Sequence, residues 1–314
     1  MAPQRSRRGS IMFRSQIARR HACGLILAVT AGSAAADSSS PLLAAYYDRQ
    51  MAIVGGAVYA WEGTDRPKHL AATGVQVGVG RDAYYLLDVS GALRMYGDDL
   101  ARSRAVATGV AKFAAGDAGV MIIAADGALH WLSGGTGAPV RIADDAVTAA
   151  VGDGANYYVA RGGALFVRGK AHRGQYGDGK LLATDAFVST AAGVAAITAH
   201  TGHAILMTAD GDVLGTGGNI YGPVGRHGLG DKADRWSLIA TGARAIATGA
   251  SHSLAILKDD TLIAWGRGYR PDPEPVMTDV AAVAAGTYTT IALKRDGSLW
   301  QWGWGRPPRR LELP

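Results

Sequence analysis

The sequence predicts an all-β fold, a seven-bladed β-propeller of four-stranded antiparallel blades, and three observations carry that prediction. A short segment recurs in tandem along the chain. Each copy has the strand-and-turn pattern of a small antiparallel sheet, and seven copies fill the chain beyond its first 36 residues with little left over. Periods of this length are the signature of repeat architectures, in which each unit buries its apolar face against its neighbours.

The repeat is clearest near the C-terminus, where residues 247–266 read ATGASHSLAILKDDTLIAWG and residues 284–303 read AAGTYTTIALKRDGSLWQWG. In both, sixteen residues separate the glycine (Gly249, Gly286) from the second tryptophan or its counterpart (Trp265, Trp302). The second residue of the central turn marks each unit, at 56, 91, 127, 163, 211, 260 and 297, with spacings of 35, 36, 36, 48, 49 and 37. The first strand of a unit is small and apolar and runs into the A-A-G position. An alternating strand such as Leu254-Ala255-Ile256-Leu257 follows. Next comes a two-residue D-G-type turn, a strong hairpin signal because its central residues need positive φ. A third strand ends at Trp-Gly, and after a loop a fourth appears, as in Pro275-Val276-Met277. No long 3.6-residue period interrupts the series, so four-stranded blades around an axis are expected.

Composition fits. The 44 glycines among 314 residues suit many tight turns, and charged residues are only 18%. The net charge of +6 is concentrated in residues 1–36, which hold six arginines and no acidic residue; the remainder carries 26 basic and 26 acidic residues. A neutral body has no general attraction for phosphate backbones, so nucleic-acid binding is not expected. Residues 1–36 have the three parts of a secretory signal: a basic stretch, the apolar run from Cys23 to Ala31, and small residues ending in Ala34-Ala35-Ala36. The run is too short to span a bilayer, which takes about 20 apolar residues. The expected organisation is a signal peptide over 1–36 and a propeller over 37–314, periplasmic or secreted, with no membrane anchor after cleavage. Cys23 is the only cysteine, so the propeller has no disulfide or thiolate chemistry.

These units resemble the regulator of chromosome condensation repeat family. The family pattern A-A-G-x-x-H-[ST]-x-A-L, then D-G-x-[LV]-x-x-W-G, is matched nearly in full by residues 247–266 and 284–303. Two units keep a version of the G-Q-L-G loop that follows it, at Arg173–Gly179 and Arg226–Asp231. The first four units have drifted from the pattern. Tyr46 and His200 replace the repeat glycine, and only His203 and His252 occupy the histidine position. The resemblance implies a propeller that works by binding, and relatives that act as exchange factors for a small GTPase, as chromatin binders or as β-lactamase inhibitors. The inhibitor-type aromatics two residues after the repeat glycine are replaced here except at Tyr288.

In such a meander the A-A-G and W-G loops emerge on one side, the top face. Both long insertions, near 169–186 and 216–236, are W-G loops of the fourth and fifth blades and are expected to form one raised patch. Loops on a rigid scaffold concentrate binding residues. The partner-binding candidates are therefore Arg173, Tyr176, Tyr221, Arg226, His227 and Trp236, of the types enriched at interface hot spots, with Trp236 also suited to a structural place in a strand. Four histidines map to the top loops of these same two blades, His172, His200, His203 and His227, and are the candidate metal ligands. Gly174 to Leu181 fits a phosphate-binding loop until Leu181 stands where Ser or Thr would hold Mg²⁺, and no helix follows, so no nucleotide cofactor is expected. No G-x-S-x-G, H-E-x-x-H or paired-carboxylate motif is present, and no catalytic residue is assigned. The expected function is an exported, monomeric, non-enzymatic propeller binding a protein partner through the top-face loops of blades 4 and 5. The alternatives are an exchange-factor-like regulator of a small GTPase delivered to a host and a secreted inhibitor-like binder.

Overall fold

The computed structural model of this chain describes residues 42–134, 137–225, 230–303 and 305–314. The expected signal segment lies outside them. The described chain is all-β: seven antiparallel sheets of four consecutive strands each, spanning 43–71, 76–107, 110–143, 146–191, 194–240, 243–277 and 280–311. The innermost strand of each sheet packs against the innermost strand of the next, and that of blade 1 (Leu43–Tyr46) meets that of blade 7 (Val280–Ala285), so the seven blades close into a ring. Among the described residues no helix is long and apolar enough to cross a membrane.

The turn chemistry read from the sequence is what builds each hairpin. Gly56, Gly91, Gly127, Gly163, Gly211 and Gly297, together with Asp260 (φ 66°), all have positive φ. Glycine adopts that region at no steric cost, and Asp tolerates it because its short side chain bonds locally. The same residues also fasten neighbouring blades. The carbonyls of Gly91, Gly127, Gly163, Gly211 and Asp260 accept the amide of the first residue of the following blade at 2.9–3.0 Å. Shortening the turn would therefore break both a hairpin and a blade junction.

Buried apolar residues form seven clusters among the described residues, one for each interface between adjacent blades. The tryptophan of the W-G position ties its blade to the one before. Trp265 Nε1 donates to Pro223 O (2.8 Å) and Trp302 Nε1 to the Tyr269 hydroxyl (2.7 Å). At ring closure no strand is shared between blades 7 and 1 among the described residues. The seam is held instead by an apolar cluster around Trp61, Ile291 and Leu311, and by Gln301. The Gln301 amide accepts from Trp61 Nε1 (3.1 Å) and donates to Gly63 O (2.6 Å). Gln301→Leu leaves both partners unpaired at a buried seam and is expected to cost about 2–4 kcal/mol in urea denaturation. A loss under about 0.5 kcal/mol would mean that apolar packing alone closes the ring.

Around the axis the seven innermost strands, rich in alanine and valine, line a cavity of about 500 Å³.

Candidate functional site

The two long W-G loops border one pocket, through Arg173 of the first and Ile220 and Tyr221 of the second. The blade 4 loop (170–183) follows the strand Leu165–Gly169, and the blade 5 loop (219–231) follows Val213–Gly218. The blade 4 loop does not project. It lies flat on the outer strand of blade 5, Lys232–Ala240. Thr216 Oγ1 donates to Gly174 O (2.7 Å), the Gly179 amide to Asp234 O (2.8 Å), and the Trp236 amide to Gly177 O (3.3 Å). The glycines are demanded by this contact. A Cβ at Gly174 (φ +85°) would stand 2.4 Å from Ala233 O, and one at Gly177 (φ +67°) would stand 2.5 Å from Trp236 Nε1. Blade packing thus accounts for the phosphate-loop-like spacing.

That docking revises two of the expected partner contacts. Tyr176 is buried. Its hydroxyl donates to Gly169 O (2.8 Å) and accepts from the Thr184 amide (3.1 Å), which pins the two ends of the loop together. Burial raises its phenol pKa. Trp236 sits within a strand rather than at its start, packs against the apolar cluster between blades 4 and 5, and has its indole N–H buried. Neither ring is presented to a partner, because the glycines let the loop fold inward over blade 5. Arg226 and His227 lie outside the described residues.

Arg173 and Tyr221 remain at the surface and are brought together. Arg173 is exposed, and its side chain runs over Gly202, whose added Cβ would meet Arg173 Cδ at 3.1 Å. Tyr221 is 47% exposed and Ile220 71%. Both are held up by buried Asn219, which the sequence reading did not single out. Its Nδ2 donates to Gly225 O (3.0 Å) and Gly230 O (3.2 Å), and its Oδ1 accepts the Val224 amide (3.1 Å). One side chain therefore supplies the hydrogen bonds that a strand ladder would supply elsewhere, and residues 219–225 are held as a platform.

Between this platform and blade 6 opens a pocket of about 570 Å³. Ile220, Tyr221 and Pro223 form its apolar wall, Arg173 and Lys232 its cationic rim, and His203 part of its lining. Arg267 of blade 6 stacks on the Tyr221 ring at 4.5 Å from its centre, adding positive charge beside the wall. Asp231 also lines the pocket, but no ion pair joins a described carboxylate to Arg173 or Lys232. An apolar wall with a few convergent polar groups, in a cavity of this size, suits recognition of a discrete side chain or short segment. Ile220, Pro223 and Lys232 were absent from the sequence candidates, although the exposed Ile-Tyr pair within a Gly-rich loop was a readable signal.

The four histidines are not assembled as a metal centre. His172 is exposed, His200 and His203 are buried, and His227 lies outside the described residues. Among the described residues no group of three or more histidine, cysteine or acidic side chains is placed to hold a metal ion. His203 instead straps blade 5 to blade 6. Its Nε2 meets Ser253 Oγ at 3.0 Å, and that hydroxyl donates to Pro223 O (2.8 Å). His252 repeats the arrangement one blade on, with Nε2 3.0 Å from Thr290 Oγ1. The repeat's histidine position is therefore an interblade fastener. Burial pushes His200 and His203 down to about 3 and His252 to about 4, so all three are neutral at pH 7.

Comparison with known proteins agrees with this architecture. The model of the regulator of chromosome condensation (RCC1) repeat matches residues 243–270, the first three strands of blade 6 and the loop after them. Among curated proteins no sequence matches the chain significantly. Among solved structures, yeast RCC1 (Prp20), solved with Kap60 bound, is similar at 17% identity and a TM-score of 0.70, over 80% of this chain and 79% of that one. Prp20p from Saccharomyces cerevisiae, in a study of its binding to Gsp1p and histones, gives 17% and 0.68 over 80% and 81%. The CRINKLY WD40 ectodomain of the Arabidopsis thaliana receptor kinase ACR4 gives 15% and 0.58 over 87% and 98%. Identities this low carry the fold alone. The matched repeat lies inside a ring of seven units built on one plan, so the chain is a seven-bladed β-propeller with an RCC1 repeat in its sixth blade.

Proposed function

We propose that this chain is a non-enzymatic protein-binding propeller that takes its partner in the top-face pocket between blades 5 and 6. The observation that carries the reading is the pocket itself: Arg173 and Lys232 without ion pairs to described carboxylates beside an exposed Ile220-Tyr221 wall, all on a platform braced by Asn219. Exposed apolar and aromatic side chains flanked by cations are the composition of an interface core and its rim. Yeast Prp20, solved with Kap60 bound and studied for its binding to Gsp1p and histones, supports a binding role for a ring of this kind. The basic leader with its apolar run and A-x-A ending supports export, so the partner would be met in the periplasm or outside the cell.

The test is capture of partners from envelope and culture-supernatant extracts, with the variant Arg173→Ala/Tyr221→Ala/Lys232→Ala run alongside. A partner held by the parent and weakened at least ~100-fold by the variant is expected, since hot-spot truncations cost about 2 kcal/mol or more each. Equal capture by a folded variant would remove the pocket from the binding surface. The Prp20 likeness also favours a second reading, regulation of a small GTPase. Catalytic acceleration of nucleotide release by the purified protein would replace passive binding with exchange activity.

A further inference from the structure

Five of the seven blades carry glycine where the first strand ends at the top face: Gly80, Gly116, Gly152, Gly249 and Gly286. The next blade's chain leaves no room there. An added Cβ would stand 2.6 Å from Val151 at Gly116, 2.9 Å from His200 O at Gly152, 2.5 Å from Gly286 O at Gly249 and 2.9 Å from Tyr47 O at Gly286. Blade 1 has Tyr46 at this position and blade 5 has His200. These two departures from the repeat meet each other. Their rings stack at 4.6 Å between centres with planes 17° apart, both are buried, and both line the axial cavity. Blades 1 and 5 are not neighbours, so the contact crosses the axis.

We propose that Tyr46 and His200 form a trans-axial clasp that keeps blade 1 seated in the ring and closes the top of the channel. The argument rests on where the ring is weakest. Each blade is completed by consecutive strands, so no shared strand joins blade 7 to blade 1 among the described residues. Blade 1 can leave the ring only by parting from blade 7 and hinging on blade 2. A contact from blade 1 to blade 5, across the axis, opposes that motion directly. The His200 ring is fixed for the purpose by its Nδ1 contact with Thr201 Oγ1 at 2.7 Å, and Tyr47 packs edge-on against Tyr46 at 5.0 Å. Stacked rings stabilise beyond the area they bury.

The test is hydrogen–deuterium exchange of the full chain, read blade by blade. His200→Gly and Tyr46→Gly each restore the residue that the other five blades carry, and Tyr46→Phe keeps the ring. The decisive variant is His200→Gly, because it alters blade 5 while the readout is in blade 1. Amides of the blade 1 strands Leu43–Tyr46 and Arg49–Val54 are expected to exchange at least ten-fold faster. Blades 2 to 4 keep their parental rates, the double glycine variant is no faster than the faster single, and Tyr46→Phe behaves as the parent. Unchanged exchange in blade 1, a uniform increase over all blades, or additive effects of the two glycine substitutions would overturn the clasp.

Discussion

Trp265→Ala is expected to lower stability by about 3–5 kcal/mol, the range for emptying a buried tryptophan site, and the melting temperature by roughly 10 °C. The side chain is fully buried between blades 5 and 6, so its loss leaves a void that close-packed strands fill only in part. The effect reaches the pocket because Trp265 Nε1 and Ser253 Oγ both donate to Pro223 O, each at 2.8 Å, and Pro223 lines the pocket wall. Removing the indole thus frees one side of the Asn219-braced platform, and partner capture is expected to weaken along with stability. Trp265→Phe separates the two contributions: it keeps most of the volume and loses only the N–H, at about 1–3 kcal/mol. Thermal and urea denaturation of both variants provide the measurement. A loss below about 1 kcal/mol for the alanine variant would mean that the blade 5–6 interface does not depend on this residue.

Acid is expected to unfold the propeller well before its carboxylates are protonated. His200, His203 and His252 are held neutral by burial, with values near 3, 3 and 4 against 6.5 for an exposed imidazole. Because the folded values lie below the unfolded one, the unfolded chain takes up protons first as pH falls. The contribution of the three groups to stability is complete above about pH 7, begins to be lost as pH drops through 6.5, and is fully lost near 3. Midway, the unfolded state binds nearly three more protons than the folded one. The stability then falls by up to about 4 kcal/mol per pH unit, at about 1.4 kcal/mol for each proton. Urea midpoints measured from pH 8 to pH 4.5 give the slope. His203→Gln and His252→Gln, which keep an N–H for the interblade contact, are each expected to make it shallower by about a third. Slopes equal to the parent in both variants would assign the acid sensitivity to other groups.

Fold was far more legible than site. The blade count was readable because the second turn residue of every hairpin must take positive φ, which restricts it to Gly56, Gly91, Gly127, Gly163, Gly211, Asp260 and Gly297. Those positions recur at measurable spacings whatever the rest of a unit does. The candidate pocket was half legible. Loop length and composition located Arg173 and Tyr221, which the structure does bring to one pocket with Lys232. Tyr176 was misread because a sequence cannot say which way a glycine-rich loop folds. Gly174 and Gly177 admit close approach to blade 5, and that approach carries Tyr176 inward. His200 and His203 flank one loop of blade 5, yet one ring points across the axis and the other across a blade interface.

By itself, the sequence determined the number of blades, the four strands in each and the hairpin turns. These follow from backbone rules that act within about twenty residues: which residues accept positive φ, and which alternate between a buried face and its opposite. Only the tertiary structure decided that Tyr46 meets His200, that Gln301 closes the ring on Trp61, and that Arg173, Tyr221 and Lys232 share a pocket. Such contacts join residues up to 240 positions apart, and the twist and closure of the ring place them opposite one another, which no local period records.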